Sequence, residues 1–197
     1  MATESQILDF ISRIAPCAQK AYKELGKVYP SICIGMACVE SAYGTAGSCF
    51  HNSYLGQKVG TGKTAARYWG GKFFTSKTKE EYTVGVHTTI NAAFRSYDSM
   101  EQCVFNYYEL LNSKLYSGVS SGVPFTTQMQ QIKNCGYMTS STEVKYHPYA
   151  GGCFQVGIFT WVSNPVPPLR GWRGLSSADP LCSCRGTAPL RGRLLLL

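Results

Sequence analysis

The chain predicts a mixed α+β fold, mainly α, with a small β-hairpin lobe between two helical parts. Two observations carry this. Apolar residues recur at helical spacing in four separate segments, and two-residue alternation is confined to residues 80–93, just after a glycine-rich stretch. At 197 residues the chain is one domain with room to spare. A core of ~150 residues buries roughly 70% of its unfolded surface, so no metal or disulfide staple is required.

The first helix spans Thr3 to Leu25. Thr3 and Gln6 form a capping-box pair, and Ile7, Leu8, Phe10, Ile11 and Ile14 share one face. Pro16 lacks an N–H, which predicts two helical pieces joined at Ala15-Pro16. A second helix begins at Pro30, where a proline suits the first turn, and runs through Ile32, Ile34, Met36, Ala37 and Val39 to Ser41. Glu40 lies in its last turn, where the helix dipole disfavours negative charge. The rest of this helix is apolar, so a carboxyl there is expected to hold its proton more tightly than usual, as a general acid must. On spacing alone a surface glutamate is an equal reading.

Residues 45–72 interleave Gly47, Gly56, Gly60, Gly62, Gly70 and Gly71 with tyrosines and Trp69, and read as an irregular, ligand-facing loop. Within it, GQKVGTGKTA has the look of a phosphate-binding loop, but its spacing is wrong. The required glycine falls on Gln57, and no apolar strand precedes the segment. Glu80 to Ala93 alternates Tyr82, Val84, Val86, Thr88 and Ile90 around Gly85, which predicts a hairpin. Ser99 and Gln102 cap a third helix carrying Cys103, Val104, Tyr107, Leu110 and Leu111. A fourth covers Phe125 to Asn134 and stops at Gly136.

Thirteen tyrosines suit a flat, polar ligand such as a sugar, and equally an aromatic core. The net charge of +8 favours a polyanionic neighbour, including a teichoic-acid-bearing wall. The lysines are scattered and no nucleic-acid motif accompanies them, so no nucleic acid is expected. The nine cysteines include no Cys-x-x-Cys pair and no histidine at zinc spacing, so neither metal nor cofactor is expected. Nothing local activates Cys17 for thiol chemistry with His51 or His87. The first twenty residues lack a signal-peptide pattern, which predicts synthesis in a reducing cytoplasm, and no segment suits membrane insertion.

PSICIGMACVESAYG, HNSYLGQK, TKEEYTVG, FRSYDS and NCGYMT occur in an order that resembles glycoside hydrolase family 73, the endo-beta-N-acetylglucosaminidases of bacteria and phages. The resemblance covers roughly residues 5 to 145 and is strongest toward phage-type lysins. It implies a lysozyme-like helical domain whose hairpin lobe forms one side of a cleft. It also implies hydrolysis of the bond between N-acetylglucosamine and N-acetylmuramic acid in peptidoglycan, by a monomer acting on the wall after release or non-classical export.

By this resemblance Glu40 of ESAYG is the catalytic acid and Glu80, in Thr78-Lys79-Glu80, the second carboxylate. Glu81 is the alternative, since strand alternation lets only one of the two face the cleft. Tyr97 of the FR-x-Y motif is expected near the scissile sugar. Tyr43, Asn52, Tyr54, Gln57, Lys58, Trp69, Glu81 and Phe94 are expected to line the substrate, with Leu55 as one extra residue in the N-x-Y-G motif. Gly35-Met36 and Tyr43 stand where the family commonly has Ala-Gln and Trp, which is expected to alter preference rather than activity. A muramidase or lytic transglycosylase on the same fold, or a non-catalytic wall-binding module, are the alternatives.

Residues 1–150 thus form the expected catalytic domain. Beyond residue 150 there are five arginines and no lysine, with prolines at 165, 167 and 168 and four terminal leucines. This change reads as a poorly ordered tail of separate origin, as from a fused or frameshifted reading frame.

Overall fold

The computed structural model describes residues 2–60, 66–83 and 85–138. The 151–197 tail, the glycine-lysine part of the 56–65 loop and the chain beyond Met138 lie outside the described residues. Helices α1 (Glu4–Leu25) and α2 (Pro30–Glu40) come first, followed by a 3-10 turn at Gly47–His51. Strands β1 (Phe73–Thr83) and β2 (Val86–Arg95) follow, then α3 (Met100–Leu111), a 3-10 turn at Lys114–Tyr116 and α4 (Phe125–Asn134).

Helix α1 begins as its sequence predicts. Thr3 Oγ1 accepts from the Gln6 N–H at 3.3 Å, and Gln6 returns the bond to the Thr3 N–H at 2.8 Å. The expected break at Pro16 does not occur; one continuous helix passes through it. Pro16 and Ser12, whose carbonyl loses its donor, both lie on the solvent side, where water can take the donor's place. The buried face, Phe10, Ile11, Ile14, Ala15, Ala18 and Ala21, straddles the proline and clamps both turns onto the core. Tertiary burial outweighs the local defect.

Helix α2 is sheathed on nearly every side, with Ile32 through Cys38 all buried. It ends abruptly because Ala42, Tyr43 and Gly44 turn left-handed in succession, with φ of 48°, 58° and 77°. Ser41 ties the turn, its hydroxyl donating to the Ala37 carbonyl at 2.6 Å and accepting from the Gly44 N–H at 2.9 Å. Gly44 is where the turn meets α1: an added Cβ would stand 2.6 Å from the Phe10 ring. Helix α1 also packs on α3, with Tyr107, Tyr108 and Leu111 wholly buried between the layers. Gln128 joins α4 to the α1–α2 connection, bonding the Tyr29 N–H at 2.9 Å and the Lys27 carbonyl at 3.0 Å.

The hairpin is antiparallel and longer than the alternation predicts, because β1 already begins at Phe73. Its ladder pairs Phe74 with Phe94 and Glu80 with Thr88, then becomes irregular between Glu80 and Thr83 before the turn at Gly85, where φ is 81°. Among the described residues no helix is long and apolar enough to cross a membrane. The six described cysteines are free thiols; Cys33, Cys38 and Cys103 belong to the core, and burial pushes the Cys103 thiol up to about 12. Burial also raises the Cys17 thiol, the opposite of activation.

Candidate active site

The site is organised around three residues, Gly56, Gln57 and Lys58. They run antiparallel to the end of β2: the Arg95 N–H donates to the Gln57 carbonyl at 2.8 Å, and the Val59 N–H to the Ala93 carbonyl at 2.9 Å. At one end of this segment stands Glu40, half-buried at the C-terminus of α2. Its carboxylate lies against the Gly56 α-carbon so closely that an added Cβ would be 2.6 Å from Oε2. At the other end Lys58 Nζ pairs with Glu80 Oε1 at 2.6 Å, and the Thr78 hydroxyl donates to the same oxygen at 3.2 Å. Glu80 is only 3% exposed, whereas Lys58 keeps much of its surface in solvent.

Glu81 is buried as well, at 9% exposure, but turns elsewhere. Its Oε1 accepts from the Gly85 N–H at 2.7 Å and so closes the hairpin's own turn. The irregular ladder between Glu80 and Thr83 lets two consecutive carboxylates both find shelter, which a regular strand does not.

Tyr97 is 5% exposed and Gln57 3% exposed. The Gln57 amide donates to the Tyr97 hydroxyl at 2.7 Å, which in turn donates to Asn106 Oδ1 at 2.8 Å. Burial pushes the Tyr97 hydroxyl far above its ordinary range, so it stays neutral at any working pH. Tyr54 is likewise turned inward beside Phe10, its hydroxyl donating to Asn52 Oδ1 at 3.3 Å. Asn52, left-handed at φ 49°, donates to the Tyr97 carbonyl at 3.0 Å. Tyr97, Gln57 and Tyr54 are buried and Asn52 half-buried beside them, because the 3-10 turn and the left-handed Asn52 direct the chain inward.

Phe94 stacks on Phe74 at 5.8 Å, and Phe74 on His51 at 4.1 Å, so an aromatic row joins the hairpin base to the 3-10 turn. Trp69 donates its indole N–H to the Lys72 carbonyl at 2.6 Å and lies with its ring under the Arg95 guanidinium. Tyr43 is partly buried against the core, its N–H reaching the Cys38 carbonyl at 2.8 Å. Met36 accepts the Tyr107 hydroxyl at 3.0 Å. Tyr137 donates to the Leu55 carbonyl at 2.7 Å and so holds the residue that precedes Gly56. Burial raises both tyrosine hydroxyls, and the nearby charge of Glu40 adds to the effect.

Residues 15–151 match the family described as mannosyl-glycoprotein endo-beta-N-acetylglucosaminidase. The chain belongs to this glucosaminidase family. It is 30% identical over 139 residues to the peptidoglycan hydrolase FlgJ of Pseudomonas aeruginosa, a match covering 66% of this chain and 32% of that protein. The chain therefore spans about a third of that relative's length. Its fold is shared with solved peptidoglycan hydrolases. A peptidoglycan hydrolase mutant from Sphingomonas sp. A1 superposes with a TM-score of 0.64 at 22% identity, covering 77% of this chain and 98% of the other. The catalytic domain of the autolysin Auto from Listeria monocytogenes gives 0.61 at 21% identity, covering 81% and 90%.

In this glucosaminidase-family chain, sequence reading did not single out Asn106, Glu109 or Phe74, which the fold brings into the Arg95 cluster and the aromatic row. Asn106 carried a signal, since it falls three residues after Cys103 and four before Leu110 on an otherwise apolar helix face. Gly56 makes a direct prediction. Gly56→Ala forces a side chain onto a backbone at φ 62°, which costs roughly 1–2 kcal/mol, and drives the Glu40 carboxylate from its seat. The expected result is a folded protein with a kcat lowered about a hundredfold, as for an ångström-scale misplacement. A variant with wild-type kcat shows that Glu40 does not need that position.

Proposed function

We propose that this chain hydrolyses the β-1,4 bond between N-acetylglucosamine and N-acetylmuramic acid in peptidoglycan. Glu40 is the general acid and Glu80 the second carboxylate. The observation that carries this reading is the placement of both carboxylates on the two ends of one three-residue segment, Glu40 against Gly56 and Glu80 on Lys58. Family membership and the peptidoglycan hydrolase relative support the choice of bond and polymer.

Cleavage of a glycosidic bond needs a proton for the leaving oxygen and an electron-rich partner for the developing cation at the anomeric carbon. Glu40, in the last turn of α2 and against Gly56, is the group assigned to give that proton. Glu80 either activates a water on the opposite face of the sugar or steadies the substrate's own 2-acetamido group as it attacks. Lys58 Nζ stands beside Glu80 at 2.6 Å in either route. Tyr97, neutral and buried, holds Gln57 rather than exchanging a proton. The chain's net charge of +8 suits a polyanionic wall, and we take the working form to be a monomer.

The test is incubation of purified protein with peptidoglycan sacculi, followed by assay for new reducing ends. Steady release at neutral pH is expected. Binding to sacculi with no release overturns the enzymatic reading in favour of a wall-binding module.

A further inference from the structure

We propose that Arg95 is the positioning residue of the reaction: its guanidinium holds the Gly56–Lys58 segment in the register that seats Glu40 at one end and Glu80 at the other. The inference rests on the function proposed above and extends it to a residue outside the proposed acid and second carboxylate. Arg95 is only 3% exposed, an unusual place for a permanent cation. Its Nε donates to the Lys58 carbonyl at 3.1 Å, Nη2 to the Val59 carbonyl at 3.5 Å and Nη1 to Asn106 Oδ1 at 2.8 Å. Its own backbone N–H takes the Gln57 carbonyl at 2.8 Å. The guanidinium plane also stands 4.6 Å from the Trp69 ring.

The side chain therefore ties two successive carbonyls, those of Lys58 and Val59, to α3 through Asn106, while the Arg95 backbone N–H holds the Gln57 carbonyl just before them. Asn106 extends the anchor, donating to Glu109 Oε2 at 3.1 Å, and Glu109 in turn accepts from the Arg67 N–H at 3.0 Å. Asn106 thus links the Arg95 guanidinium to the Glu109 carboxylate, and the 66–69 loop is tied into the same cluster. A lysine carries the charge but not the planar fork, so it reaches one of these acceptors and leaves the others unpaired.

The experiment compares wild type with Arg95→Ala and Arg95→Lys. In Arg95→Ala, kcat on sacculi falls about a hundredfold while KM changes little, as expected for a loss of alignment. Millimolar guanidinium, far below denaturing concentrations, restores part of kcat by entering the space bounded by the two carbonyls, Asn106 and Trp69. Ammonium at equal ionic strength does not. Arg95→Lys, the gentler variant for folding, stays folded with a smaller drop in melting temperature than Arg95→Ala and shows an intermediate kcat. Amide NMR shifts of Gly56 and Lys58 supply an arm independent of turnover. They move in both variants, and guanidinium returns them in Arg95→Ala.

Should wild type release no reducing ends, the proposed function fails, and the amide shifts still decide whether Arg95 sets the segment. Unmoved shifts, a wild-type kcat in Arg95→Ala, or a loss that follows unfolding and ignores guanidinium each overturns the positioning role.

Discussion

Glu40→Gln abolishes release of reducing ends from sacculi while leaving binding to them close to wild type. Loss of a positioned general acid typically costs ~10²- to 10⁴-fold in rate, and the amide that replaces it has no proton acidic enough to give. The substitution is nearly isosteric, so the seat against Gly56 is retained and the fold is not disturbed. Helix α2 loses no core contact, since its buried residues Ile32 to Cys38 lie on the turns before Glu40. Rates and sacculus-binding isotherms measured on the same preparation separate chemistry from binding. Activity within a few-fold of wild type removes Glu40 from the mechanism.

Glu80→Gln has the second large effect, again ~10²-fold or more, whichever route the carboxylate serves. It also breaks the pair with Lys58, leaving a neutral amide where a buried anion had faced an ammonium at 2.6 Å. Glu81→Gln is the control. Its remaining carbonyl oxygen still accepts the Gly85 N–H, so the turn holds and activity stays within a few-fold. A reversed ranking assigns the second role to Glu81, and full activity in both variants removes the hairpin from catalysis.

The helix ends were readable in the sequence because their signals are local. The Thr3–Gln6 box, Pro30 in a first turn, the Ser99 cap and the bounds of α4 depend on neighbours within a few residues. Pro16 misled because its penalty is local while its compensation is tertiary, from a buried face that continues on both sides. The start of β1 was unreadable for the complementary reason. Residues 73–79 show no alternation because most are exposed, and their strand rests on pairing with β2. In the site, the position of Glu40 at a helix end was visible and its seat on Gly56 was not. The Arg95 cluster joins residues from four parts of the chain, and such a set exists only once the fold brings it together.

The central claim is the identity of the bond that is cut, and the most direct measurement is the chemistry of the new chain ends. Sacculi digested by the purified protein, reduced with borohydride and examined by mass spectrometry, are expected to carry reduced N-acetylglucosamine at every new terminus. Reduced N-acetylmuramic acid at those termini means a muramidase, and a 1,6-anhydro end means a lytic transglycosylase; either result contradicts the account.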